Sequence, residues 1–239
     1  MREKLIRLSI ECFGNAHTMY QRLRHDKELK KDRNECSSGL PLDVGFKVLT
    51  ILDDEYPASL FEMSLPPFVL YYRGDIGLLS RGKVSIVGGK KPSDYTKMIC
   101  RDVMGNMSPS VVIVRGSTFG VERLIGTKGV KVLAAGIDTL CDGELVISEY
   151  PPGVRFDWKK YYRSYRLVSA LSDVLCTFEL SESDGRLEYL RYLVGQGHPV
   201  LALPDRIDVA SASGCIELIA SGAMCLRRAR DVLEAIERI

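Results

Sequence analysis

The chain has 239 residues, 46% of them hydrophobic and 27% charged, with 33 Lys and Arg against 31 Asp and Glu. That composition excludes disorder, because Val, Ile and Leu recur in runs with enough apolar surface to offset backbone entropy, and it bounds the chain at one large domain or one domain with a small appendage. It also excludes a membrane-spanning helix, since apolar runs such as Val111 to Val114 fall far short of the roughly 20 residues a span needs.

From the N-terminus, Leu5, Leu8, Cys12, Met19 and Leu23 recur at helical spacing, before a charged stretch of both signs from Arg22 to Glu35 that ends in Cys36-Ser37-Ser38-Gly39. This predicts a small helical appendage over residues 1–45 with a mobile junction, followed by the main domain over 46–239. Charge at Arg2, Glu3, Lys4 and Arg7 breaks the apolar stretch that an export signal requires, so a cytoplasmic protein is expected. Between Phe46 and Tyr72, short apolar segments are punctuated by Pro57, Pro66 and Pro67, and Phe68 to Tyr72 reads as a strand closed by Arg73-Gly74-Asp75.

After Gly82 the pattern becomes regular. Lys83 to Val87 reads as a buried strand, Gly88-Gly89 as its turn, and Pro92, Ser93 and Asp94 as the start of a helix over Tyr95 to Met107. Further strands are expected at Val111 to Val114, Val130 to Ala134, Glu144 to Ser148, Asp173 to Leu180 and Pro199 to Leu203. Helices are expected at Leu187 to Val194, Ile216 to Ala220 and Arg228 to Arg238. Strands apolar on both faces that alternate with helices imply an α/β fold built on a mostly parallel sheet flanked by helices. On the terminal helix, Leu226, Val232, Leu233 and Ile236 line one side, which fits packing on the chain's own sheet as well as a dimer contact.

Seven cysteines occur without a C-x-x-C pair, and the three histidines, His17, His25 and His198, lie beside no plausible nucleophile. The cysteines are read as reduced and mostly buried. Neither a metal nor any other cofactor is expected.

In an open α/β sheet, ligands bind beyond the carboxyl ends of the strands. Three turns there carry Gly residues suited to phosphate: Gly88-Gly89 with Lys90 and Lys91, Arg115-Gly116-Ser117, and Ser181 to Arg186 with Gly185. None is a dinucleotide fingerprint or a Walker A loop. The segment from Arg155 to Arg166 interleaves Arg155, Lys159, Lys160, Arg163 and Arg166 with Phe156, Trp158, Tyr161, Tyr162 and Tyr165, against the single acid Asp157. Cations that neutralise phosphates beside flat side chains that stack on bases suit a single nucleic-acid strand, and an aromatic cluster packed beneath a helix fits the same residues.

The order of motifs resembles the DNA-processing protein A (DprA/Smf) family of bacteria. It comprises Tyr56-Pro57-Ala58-Ser59-Leu60, then Pro66-Pro67 through Gly74, Val87-Gly88-Gly89-Lys90, Gly136-Ile137-Asp138 and Ser148-Glu149-Tyr150-Pro151-Pro152-Gly153. It continues with Tyr161 to Leu167, Asp184-Gly185-Arg186, Gly197 to Pro204 and Gly214 to Ala223. Against the family pattern, Lys90 replaces an arginine, Arg115 a serine, Glu122 an aspartate and Ile216 an asparagine, and Arg163 stands one place out of register. The segment after Glu122 and the one between Asp138 and Ser148 are short, which makes this a compact, divergent member.

The resemblance implies a Rossmann-like domain that binds single-stranded DNA without sequence preference and forms a homodimer. It further implies a protein that protects incoming strands and assists loading of the RecA recombinase in natural transformation or recombination, with no catalytic reaction. The DNA contacts would be Lys90, Lys91, Arg115, Lys159, Lys160, Arg163 and Arg166, with Trp158, Tyr161 and Tyr165 for stacking. A different class, a small-nucleotide sensor or phosphoribohydrolase of the same superfamily, is also open. Its support is Gly185 and Glu188 in Ser183-Asp184-Gly185-Arg186-Leu187-Glu188.

Overall fold

The regular alternation of apolar strands and amphipathic helices builds a layered molecule, and the computed structural model describes residues 1–25, 45–116 and 119–238. The segment expected as a mobile junction, with Cys36, lies largely outside the described residues. In chain order the elements are α1 (Arg2–Glu11), α2 (Ala16–His25), β1 (Lys47–Thr50), α3 (Ala58–Phe61), β2 (Val69–Gly74), β3 (Lys83–Gly88), α4 (Asp94–Gly105) and β4 (Val112–Arg115). They continue with β5 (Val130–Leu133), β6 (Leu145–Ser148), α5 (Trp158–Ala170), β7 (Val174–Phe178), α6 (Leu187–Gly195), β8 (Val200–Ala202), α7 (Ser213–Ala220), β9 (Met224–Cys225) and α8 (Ala229–Glu237).

Among the described residues the strands form one sheet in the order β1-β2-β6-β5-β4-β3-β7-β8-β9. β2 pairs antiparallel with β1 and β6, and the other neighbours run parallel. This is the expected Rossmann-like α/β architecture, with a mostly parallel sheet between helices. The sequence reading overran β7 at both ends, missed β1, α3 and β9, and did not include α5 among its expected helices. β9 is two residues long and β1 four, too short for a repeating pattern. The connection from β4 to β5 carries a single 3-10 turn, Gly120–Arg123.

On one face, Leu70, Val114, Val132, Ile147 and Leu175 pack under α5, α6 and α7. The opposite face holds two patches. Val84, Ile86, Cys176 and Phe178 meet Cys100 and Val103 of α4 and Val232 and Ala235 of α8. Tyr71, Leu133 and Val146 meet Leu5, Cys12 and Met19 from the first two helices, and the Tyr71 hydroxyl donates to Ser9 Oγ at 3.1 Å. The apolar stripe of the N-terminal helices is therefore buried on the sheet itself, and α8 likewise packs on its own sheet through Val232 and Ala235, while Leu226, expected on that helix, is buried in the segment between β9 and α8. Among the described residues no helix is long and apolar enough to cross a membrane.

Candidate nucleic-acid interface

β3 leads through α4 to β4 on one side, while its other neighbour, β7, leads through α6 to β8 on the opposite side. This reversal is the topological switch point of the sheet, and the crevice beyond it is where such folds place ligands. Three segments converge there: the turn after β3, the turn after β7 and the start of α5.

The glycine turns are closed by the protein's own groups. A side chain at Gly88 would meet Phe178 O at 2.6 Å, and one at Gly89 would meet Glu179 O at 2.6 Å, so both glycines allow the ends of β3 and β7 to approach. The Gly89 amide donates to Phe178 O at 3.0 Å and the Gly116 amide to Glu122 Oε2 at 3.0 Å. These amides are engaged within the fold, and Ser117 lies outside the described residues. Gly185 is exposed and packs against the Tyr162 ring.

Glu179 follows β7 with φ +48°, a conformation costly for a non-glycine residue, and accepts the Ser93 amide at 2.7 Å and the Ser211 hydroxyl at 2.9 Å. Burial opposes its charge, but these hydrogen bonds hold its carboxyl below the usual range. The start of α4, where a helix favours an anion, thus already holds a carboxylate.

The segment from Arg155 to Arg166 becomes a loop and the first nine residues of α5, with Asp157 as N-cap accepting the Lys160 amide at 2.8 Å. Its aromatics divide into a buried and an exposed set. Tyr161 and Tyr165, four residues apart, are each 2% exposed, whereas Phe156 and Trp158 are each 50% exposed and Tyr162 38%. The two buried tyrosines, expected as stacking surfaces, are instead part of the core because the helix turns them onto the sheet. Their hydroxyls lie 2.9 Å apart, and Tyr165 donates to Glu122.

Beneath them is a buried ionic network. Arg186, 3% exposed, donates to both carboxylate oxygens of Asp184 at 2.8 Å, to Gly88 O at 2.8 Å and to Tyr165 Oη at 3.0 Å, and lies 3.4 Å from Glu122 Oε1. Burial disfavours the guanidinium charge, yet the Asp184 hydrogen bonds outweigh it and Arg186 is held firmly charged. Burial, then the Glu122 charge, pushes the Tyr165 phenol well above its ordinary value, so it stays a donor.

Above this network is a continuous aromatic surface. Phe156 and Trp158 meet edge to face at 5.5 Å, Phe119 stands 6.1 Å from Trp158 and stacks on Tyr161 at 5.5 Å, and the Lys90 ammonium sits 4.4 Å from the Trp158 ring centroid. Lys90, Lys91 and Lys159 are exposed. Lys159 lies in the first turn of α5, where the positive end of the helix dipole disfavours a cation.

The remaining predicted cations are elsewhere or engaged. Lys160 pairs with Asp157. Arg166 pairs with Glu149 and donates to Leu65 O at 2.8 Å, while Arg163 Nε stands 3.8 Å from the same 1%-exposed carboxylate. Arg115, 3% exposed, donates to Thr127 O and Asp142 O, both at 2.8 Å, and so ties together the two short connections noted in the sequence. Its place in the interior removes it from the exposed surface. Sequence reasoning missed Phe119, Glu179 and the structural role of Arg186. Tyr162 was legible, standing four residues after Trp158 and hence on its helix face.

Comparison with known proteins is consistent with this architecture. The family model described as DNA recombination-mediator protein A matches residues 47–237. The chain is 27% identical to the DNA processing protein DprA of Bacillus subtilis over 215 residues, 81% of this chain and 72% of that protein. To the DprA of Streptococcus pneumoniae it is 28% identical over 211 residues, 80% of this chain and 75% of the other. The X-ray structure of the Streptococcus pneumoniae protein matches with a TM-score of 0.74 and 27% identity over 79% of this chain and 74% of that one. A structure of DNA processing protein A from Helicobacter pylori, described for its single-stranded DNA binding mode, matches in fold with a TM-score of 0.68 and 23% identity over 81% of this chain and 96% of that chain.

Proposed function

This chain belongs to the DNA recombination-mediator protein A family, and on that premise we propose that it binds single-stranded DNA without sequence preference across the carboxyl edge of its sheet. The observation that carries the reading is the aromatic surface of exposed Phe156 and Trp158 backed by half-buried Phe119, with Lys90 over the indole. Bases stack on such a surface whatever their identity, while Lys90, Lys91 and Lys159 follow the phosphates. Tyr162 and Gly185 continue the surface along α5 and the turn after β7. The role is non-catalytic, with Arg186, Glu122 and Tyr165 supporting the platform from below. The small-nucleotide reading lacks comparable support, because in its segment 183–188 the Arg186 amide and guanidinium are already taken up by Asp184.

Fluorescence anisotropy with labelled oligo-dT tests this. Binding that weakens with salt and exceeds binding to duplex of the same length is expected, and no binding at low salt overturns it. The proposal extends to a cytoplasmic homodimer that protects incoming strands and assists RecA recombinase on them in natural transformation or recombination. Light scattering of the free protein checks the dimer, and displacement of a single-strand-binding protein by RecA, with and without this chain, checks the assistance.

A further inference from the structure

Away from that surface, on the sheet face that carries α1, α2, α4 and α8, Arg115 pairs with Lys131, Lys131 with Val146 and Val146 with Arg73. Paired residues on adjacent strands point to the same side, so three cations lie along one row across four strands. Arg115 and Lys131 are each 3% exposed. Arg115 uses Nη2 on the carbonyls of Thr127 and Asp142, but its buried Nε–H has no acceptor. Among the described residues the Lys131 ammonium makes no hydrogen bond or ion pair. Arg73 reaches the connection above the row, donating to Thr139 O at 2.8 Å.

The countercharge is incomplete. Glu122 already accepts from Tyr165 and from the Gly116 amide and faces Arg186, which Asp184 matches with both oxygens. The Asp142 residue is exposed, and its carboxylate forms no ion pair among the described residues. Among buried groups Arg115 and Lys131 therefore share one carboxylate, to which the exposed Asp142 adds a smaller attraction on Arg115, and the buried Arg115 Nε–H is left without an acceptor. Buried charges in proteins are paired or neutralised. Burial pushes the Lys131 ammonium down to about 8, partly countered by Glu122, which leaves it mainly charged near neutrality.

We propose that the Arg115–Lys131 rung is a binding site for one small inorganic oxyanion, held by Arg115 Nε–H and Lys131 Nζ between β4 and β5 beneath the connection 139–143. The site is independent of the single-strand surface. Calorimetric titration of the full chain with inorganic phosphate at constant ionic strength tests it, in a Lys90→Ala/Lys91→Ala background that removes cations at the carboxyl edge. One phosphate per chain is expected, with at least tenfold weaker binding when Lys131→Met is added. Lys131→Met alone exchanges a buried charge for an apolar side chain of similar length, so it is expected to fold and to bind oligo-dT as the parent does. Absence of phosphate binding, its survival in the Lys131→Met background, or loss of oligo-dT binding by folded Lys131→Met would each overturn an independent oxyanion site.

Discussion

Trp158 and Lys90 form the most exposed aromatic–cation contact on the carboxyl edge, and under the proposed single-strand binding each is expected to contribute in a different way. Removing a stacking side chain costs about 1–3 kcal/mol per base, so Trp158→Ala is expected to weaken oligo-dT binding about 5- to 150-fold at fixed salt. Lys90→Ala, by contrast, should reduce the slope of log affinity against log salt by about 0.7, the contribution of one phosphate on a single strand. Lys131 gives a pH signature. Its pKa falls from 10.5 to about 8 on folding, chiefly through burial, so between those values the unfolded chain holds a proton that the folded chain lacks. Stability from this residue therefore rises with pH across that window, and below about 8 the cost of its buried charge is fully present. Burial pushes the Cys100 thiol up to about 11, and groups of that kind act in the opposite sense. The check is accordingly the difference in urea stability between the parent and Lys131→Met, which should narrow from pH 8 towards pH 10.

At the scale of elements, α5 decides which residues of the basic, aromatic segment face the crevice. Its N-cap, Asp157, accepts the Lys160 amide and pairs with the Lys160 ammonium, and these contacts hold its carboxyl below the usual range. Asp157→Ala is expected to cost about 0.5–2 kcal/mol of stability and to fray the turn that carries Trp158 and Lys159. Hydrogen exchange at the amides of residues 159–162 should rise while that of β7 does not. Part of this was legible, although α5 was not among the expected helices. Tyr161, Tyr165 and Val168 stand at helical spacing, but Trp158, seven residues before Tyr165, lies on nearly the same face, so the period does not separate it from them. What spacing does not disclose is which neighbour a cation meets. Arg163 and Arg166 look free in the sequence, and both face Glu149, brought to α5 by the strand before it.

Across the whole molecule, Arg186 joins the end of β3, the tyrosines of α5, the 3-10 turn with Glu122 and its own turn through Asp184. Arg186→Met leaves two carboxylates without their cation, and a loss of about 3–5 kcal/mol is expected in chemical denaturation, as for the broken half of a buried ion pair. The sequence by itself determined the α/β class, the Rossmann-like alternation, the family resemblance and the position of the aromatic, basic segment. Each of these rests on local periodicity or on the order of motifs, which the chain carries without reference to its folding partners. Only the tertiary structure decided which cations stay exposed, that Glu179 fills the start of α4, and that Arg115 and Lys131 share a buried rung. Charge neutralisation and burial depend on groups brought together from distant parts of the chain, such as Arg186 and Glu122, 64 residues apart, and no local pattern encodes their meeting.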